Sequence, residues 1–393
     1  CTDGTKTADV VIGQDVQAAT AECTPNADCS GTPESVVLTL TGSNPKYPLQ
    51  SVLTASFRPG AQGEPNAGNS STIALLALGD LDTDATCPVV DIQGDSTVTV
   101  VGDAVVSSGC GDGAVNGWVK LSPLSPGSKT ITPDVNDPFI TLPLPAETCP
   151  GTGTNGTIGD HPDDTTAFVV YPQTVTIDSA VEFEPGRYIF CDGLSIVAGG
   201  AVASTGEVFF HIPNGGFSVA SGAIVDLSAQ TSGSYANVIA WVSNGQQVTM
   251  QSQASVGIWR GYVYAPQSNV VINATDAPLV TNLGGLVART INISNAGPSR
   301  FGPVPNIGID PATLDPAVAE SLYGPVQFSA TGDATAPVTW RAVGLPTGLA
   351  LDGTTGILTG TPTCSGPNTV VVAAIDASAA GAAQVYDLEV LPN

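Results

Sequence analysis

Two stretches of the chain repeat one order of apolar and polar positions. GLSIVAGGAVAS runs from Gly193 to Ser204, and GFSVASGAIVDLS runs from Gly216 to Ser228. Each opens on Gly, a large apolar residue, Ser and a β-branched residue, and their first glycines lie 23 residues apart. On a strand, successive side chains point to opposite faces, so Leu194, Ile196, Phe217 and Val219 share one face while Ser195 and Ser218 share the other. Related runs stand at 96–101 (STVTVV), 173–177 (QTVTI), 247–250 (QVTM), 269–272 (NVVI) and 290–293 (TINI). Intervals of about 20 residues recur among Gln173, Gly193, Gly216, Asn269 and Thr290, which is the signature of a stacked repeat. An antiparallel sandwich would also alternate, but it supplies no reason for matched residues at a fixed interval. The pattern predicts coils that stack with Leu194, Ile196, Phe217 and Val219 inward, with the paired glycines at corners where φ is positive.

The pattern divides the chain into four parts. Residues 1–68 form a β-rich, disulfide-containing N-terminal region with strand-like runs at 35–41 and 49–57. Residues 69–296 hold the repeats and form the β-helix-like domain. Residues 297–323 read as a proline-rich linker with a short helix over Asp315–Leu322, where Asp315 is the N-cap and Pro316 the first helical position. Residues 324–393 form a separate small β unit with turns at DGTTG and GTPT and Trp340 as a core aromatic. The fold expected is therefore all-β: a right-handed parallel β-helix followed by an Ig-like sandwich.

Composition supports this and narrows the partners. Gly 45 and Pro 31 against a single Met favour short strands and turns over helices. With 10 Lys+Arg against 35 Asp+Glu the net charge is −25, which repels nucleic acid and anionic membrane surfaces. No apolar run reaches the ~18–20 residues that a membrane span needs. Attachment to a membrane is expected only through a segment outside this sequence or through a lipidated Cys1.

Eight cysteines without a C-x-x-C, beside two histidines, point to disulfides and an oxidising compartment rather than zinc. The expected pairs are Cys23–Cys29, Cys87–Cys110 and Cys149–Cys191, with Cys1 and Cys364 left over. Asn69, Asn155, Asn273 and Asn292 head N-x-S/T sequons and are candidate glycosylation sites on an extracellular chain.

Two resemblances follow from longer motifs. EPGRYIFCDGLSIVAGGAVAS, GAIVDLSAQTSGSYANVIAWVS, GYVYAPQSNVVI and GGLVARTINISNAG occur in that order, behind IALLALGDLDTDATCPVVDIQGDSTVTVVGDAVVSSGC. Over roughly residues 70–296 this series resembles the ectodomains of TadG-like proteins of the Tad (Flp-type) pilus system. That resemblance implies a surface location and other pilus or surface proteins, or copies of the chain itself, as partners. Further on, Trp340, Leu345-Pro346, Gly348-Leu349, Asp352, Thr355-Gly356, Gly360-Thr361-Pro362 and Asp376 resemble the putative-Ig or dystroglycan-type cadherin-like modules of bacterial and archaeal surface proteins. This second resemblance implies that Asp352 and Asp376 stand where such modules hold Ca²⁺, and Asp376 is the better candidate.

Candidate chemistry is sparse. Asp80, Asp82 and Asp84 alternate in GDLDTDAT and could supply hard oxygens to Ca²⁺, although no glutamate closes the loop as an EF-hand requires. No other cofactor is expected. His161, Asp163 and Asp164 form a polar loop with cation or acid–base potential. Glu182 and Glu184 flank Phe183, roughly 6–7 Å apart on one side of a strand, a spacing compatible with glycoside hydrolysis. His211 sits between apolar residues, and Trp241, Trp259, Tyr262 and Tyr264 could make a sugar-stacking strip. G-x-S-x-G, H-E-x-x-H, a phosphate loop and a dinucleotide fingerprint are all missing, so the chain is not read as an enzyme. The expected function is that of an extracellular or cell-surface structural and adhesion protein, contacting glycans or a neighbouring cell surface. The competing expectation is a polysaccharide-active β-helix enzyme, a lyase or hydrolase, with an accessory module.

Overall fold

Alternating runs become strands wherever the structure describes them. The computed structural model describes residues 137–162, 164–251, 256–273, 280–294, 299–377 and 380–393, with backbone segments 5–12, 15–24, 35–44, 47–57, 73–78, 90–93, 98–101, 103–106 and 119–122. Among these residues all regular structure is β and there is no helix.

One large sheet runs as three ladders of parallel strands. The first passes from Phe168–Tyr171 through Gly186–Phe190, the end of Ala201–Ile212, and Val238–Val242. The second passes from Val175–Ile177 through Leu194–Ile196 and Phe217–Val219 to Val248–Gln251. The third passes from Ala180–Phe183 through the start of Ala201–Ile212 to Ile224–Ala229. The long strand Val256–Asn273 then joins all three, and Val280–Ser294 follows it in parallel, with the register shifting between Trp259 and Tyr262 and between Ala265 and Asn269.

The opening pair of motifs are neighbours in the second ladder. Leu194 pairs with Phe217, Ser195 with Ser218 and Ile196 with Val219. All four apolar residues are buried in the core enclosed by the ladders, and the Ser218 hydroxyl donates to Ser195 Oγ at 3.0 Å on the opposite face. The corners use glycine where φ is positive. Gly193 (+106°) and Gly199 (+83°) bracket the first motif, and Gly215 (+72°) and Gly222 (+82°) the second. The left-handed corner therefore falls one residue before Gly216. A Cβ on Gly193 would meet the Gly216 carbonyl oxygen at 2.7 Å, so close stacking of backbone is a second reason for glycine there.

Spatial order departs from sequence order. Val280–Ser294 pairs next with Ile73–Ala77 and Val90–Gln93, and Ser299–Phe301 pairs with Val98–Val101. The sequence-early strands thus stack beyond the sequence-late ones. Beyond them, Tyr47–Phe57 pairs parallel to Val98–Val101, and Ser35–Asn44, Asp15–Thr24 and Thr5–Ile12 follow as antiparallel neighbours.

Residues 137–162 form a strap without strands on the outer side of the first ladder. Asp137 Oδ2 accepts the Tyr264 hydroxyl at 2.7 Å, and Phe139 packs edge-on to Tyr262 and Tyr264. Cys149 is bonded to Cys191. At the far end the Asn155 amide donates to the Gln173 and Thr174 carbonyls and accepts the Gln173 N–H, which caps the open edge of the terminal rung at these two residues.

The C-terminal unit is an Ig-like module. One sheet joins Ala317–Val318, Gly381–Leu391, Gly366–Ile375 and Thr339–Val343; another joins Tyr323–Gln327, Ile357–Gly360 and Leu349–Leu351. Phe328, Trp340, Leu358, Tyr386 and Leu388 fill the space between them. The short helix expected over Asp315–Leu322 is corrected here: Ala317 and Val318 pair with Val390 and Leu391 as a strand. Ile307, Ile309 and Tyr323 lie in the module's core, so the proline-rich stretch from Ile307 onward is built into it, while Ser299–Phe301 belongs to the large sheet.

Candidate functional site

The outer row of the third ladder meets the module. Ala201, Ile224, Val256 and Ile258 bury against Val371 and Ala373, with Ala180, Val343 and Ala383 packed at the margin. The neighbouring column of the same ladder places Glu182 beside Ala203, and Ala203 beside Asp226. Burying a carboxylate requires that it be paired and hydrogen-bonded. Asp226 meets both conditions: Oδ1 is ion-paired with Arg260, and Oδ2 accepts the Ala383 N–H at 2.7 Å. Burial pushes the Asp226 carboxyl above its ordinary range, against the pull of Arg260 and of the Ala383 N–H. Arg260 stands in register with Ser228, two residues beyond Asp226, and keeps about a third of its side chain exposed (32%).

A cleft of about 290 Å³ opens beside this clamp. Glu182, Ser204, Asp226, Ser228 and Arg260 line it from the ladders, and Ile307, Ile309 and Gln384 from the module. Ala203, in register between Glu182 and Asp226, lines it as well. Burial, then the Asp387 and Glu184 carboxylates, raise the Glu182 pKa.

Sequence reasoning singled out Glu182 but neither Asp226 nor Arg260. A lone Asp inside the apolar run AIVDLSA and a lone Arg inside GIWRGYV were the available signals. Glu184 does not share the site: it is exposed and accepts the His161 N–H at 2.7 Å. His161 Nε2 lies 3.2 Å from the Arg187 nitrogen and its ring stacks edge-on to Tyr188, which makes it a strap anchor. Asp164 accepts from Thr166 within its own turn, and Asp163 lies outside the described residues.

The other expected sites separate. Asp376 is buried, and its two oxygens accept the Thr335 and Ala380 N–H groups, so it fastens a turn. Asp352 Oδ1 accepts the Thr354 and Thr355 N–H groups, which draw its pKa down. Among the described residues no three His, Cys, Asp or Glu side chains gather as a metal site. Asp80, Asp82, Asp84 and Asn69 lie outside the described residues, as do the side chains of Cys23, Cys29, Cys87 and Cys110. Cys364 is exposed with a free thiol. Trp259 is buried in the core, and Trp241, Tyr262 and Tyr264 are buried on the strap side, so they form no open sugar-stacking strip. His211 is buried against Trp241 with Nε2 3.0 Å from Ser243 Oγ, and burial lowers its pKa to about 4. Asn273 and Asn292 stand on the ladders, and the Asn155 amide is engaged in the end cap.

Comparison with known proteins bears on the module. Residues 308–391 match the family described as "Putative Ig domain". No curated protein matches the chain. Among solved structures, one titled as a putative alpha-galactosidase/melibiase from Bacteroides fragilis is 24% identical over 22% of this chain and 18% of that chain, with a TM-score of 0.19. A likeness of that size carries no argument about fold or activity.

Proposed function

We propose that the chain is a secreted or cell-surface structural and adhesion protein, in which a right-handed parallel β-helix forms a stiff body and the Ig-like module is clamped along its flank. The observation that carries this reading is the module itself, matched over residues 308–391 and fastened to stacked parallel strands through Asp226. Stacked rungs whose apolar ladders run uninterrupted resist bending, because every rung is held by its neighbours. In-register columns such as Thr176, Ser195, Ser218 and Thr249 support the helical winding. The motif series over roughly 70–296 supports a narrower role as a component or accessory subunit of a pilus or other filament, with surface proteins or further copies as partners. Calcium would then be an accessory ligand of the acidic segment that holds Asp80, Asp82 and Asp84.

The test is labelling of intact, unpermeabilised source cells with antibodies against the module. Strong surface label is expected, and label only after permeabilisation would refute the surface reading.

A second reading has one observation in its favour: Glu182 and Asp226, two carboxylates, line a single cleft. As a hydrolase the chain would need both of them free to act, one as acid and one as base or nucleophile. Asp226 is held by Arg260 and Ala383, which favours the structural reading. Polysaccharide turnover abolished by Glu182→Gln would reverse that preference.

A further inference from the structure

We propose that the cleft between the third ladder and the module binds one neutral saccharide unit, a proposal that rests on the surface-adhesion reading above. Clefts at domain boundaries with a few convergent polar groups are the usual sites for small ligands. At about 290 Å³ this one lies just below the roughly 300–1,000 Å³ of drug-sized pockets, a size for a single ring.

The lining selects the chemistry by elimination. An anion is disfavoured because Arg260 is already neutralised by Asp226, while Glu182 and Asp387 add negative potential and the whole chain carries −25. A metal ion is disfavoured because both Asp226 oxygens are committed, and among the described residues no metal cluster forms. An apolar ligand would strand the Glu182 carboxylate and the Gln384 amide. A neutral polyol answers all of these. Glu182 accepts from hydroxyls, Gln384 both donates and accepts, and Ser204 and Ser228 add hydroxyls on the ladder side. The short strand Ile307–Asp310, whose two isoleucine side chains point into the module's core, closes the opposite side of the cleft.

The site is also built before the ligand arrives. Ala383 holds Asp226, and Asp226 holds Arg260, so these groups lose little freedom on binding. Because Asp226 and Arg260 also clamp the module, the informative substitutions are at Glu182 and Gln384.

Saturation-transfer NMR and calorimetry on the full chain would use glucose, galactose, mannose and N-acetylglucosamine, with glucuronate as the charged control. At least one neutral sugar is expected to bind, and Glu182→Gln and Gln384→Ala should each weaken it about tenfold or more at unchanged melting temperature. Absence of binding by all four neutral sugars, binding untouched by the Glu182→Gln, Gln384→Ala double variant, or tighter binding of glucuronate would overturn the proposal. Surface labelling of intact cells is independent of the sugar, so a failure here leaves the surface reading standing and a failure there does not.

Discussion

Asp226 on the third ladder and Ala383 of the Ig-like module share a 2.7 Å hydrogen bond across 157 residues of chain. The same carboxylate is ion-paired with Arg260, so one buried side chain joins body to module and orients the cleft. Asp226→Ala leaves the Ala383 N–H without this acceptor and Arg260 without its partner. The expected loss is about 1–3 kcal/mol. In calorimetry the module should then melt ahead of the body, where the parent chain melts in a single transition. Asp226→Asn, which can still accept from Ala383, should fall between the two.

The Cys149–Cys191 bond closes a loop over 42 residues and fastens the strap to the first ladder. Loop-closure entropy puts its stabilisation at about 4 kcal/mol as an upper figure. A Cys149→Ser, Cys191→Ser double variant should lower the melting temperature by several degrees and speed proteolysis of the strap around residues 140–148 before the ladders are cut.

His211 titrates below its ordinary value of 6.5, at about 4, because burial disfavours the imidazolium. A histidine of this kind holds its full stability above pH 6.5 and loses it as the pH falls from there through about 4. By linkage the effect is about 3 kcal/mol. Denaturant melts between pH 7.5 and 4.5 should show the parent chain weakening. His211→Gln, which keeps a polar partner for Ser243, should be flatter over the same interval. Identical slopes would mean that other groups carry the pH dependence.

Asn155 both heads a sequon and caps the open edge of the terminal rung at Gln173 and Thr174. A glycan on its amide nitrogen would displace that cap. Asn155 is therefore expected to stay unmodified in the folded protein, as mass spectrometry of native material would show. Asn155→Ala should expose the edge and promote end-to-end association, seen as concentration-dependent mass in analytical ultracentrifugation.

Legibility in the sequence followed the range of the interactions. The inward places of Leu194, Ile196, Phe217 and Val219 and the outward places of Ser195 and Ser218 follow from alternation within a few residues, and the ladders hold them there. Cys149–Cys191 and the core role of Trp340 were also readable. The helix over Asp315–Leu322 was not formed, because pairing of Ala317 and Val318 with Val390 and Leu391 outweighs a local Asp-Pro start signal. The pairing in the clamp was not legible for the same reason: Asp226 meets Arg260 34 residues away and Ala383 157 residues away, and a lone Asp or Arg inside an apolar run marks a candidate without naming its partner. The stacking of Ile73–Ala77 beyond Val280–Ser294 likewise reverses chain order, which a repeat count along the sequence does not reveal.

Adhesion by a surface-displayed chain is the central claim, and attachment of the source cells tests it most directly. Cells lacking the gene should attach more weakly to their native surface or to neighbouring cells, and the parent gene should restore attachment. Undiminished attachment by cells lacking the gene, in an assay where the parent cells attach, would contradict the account.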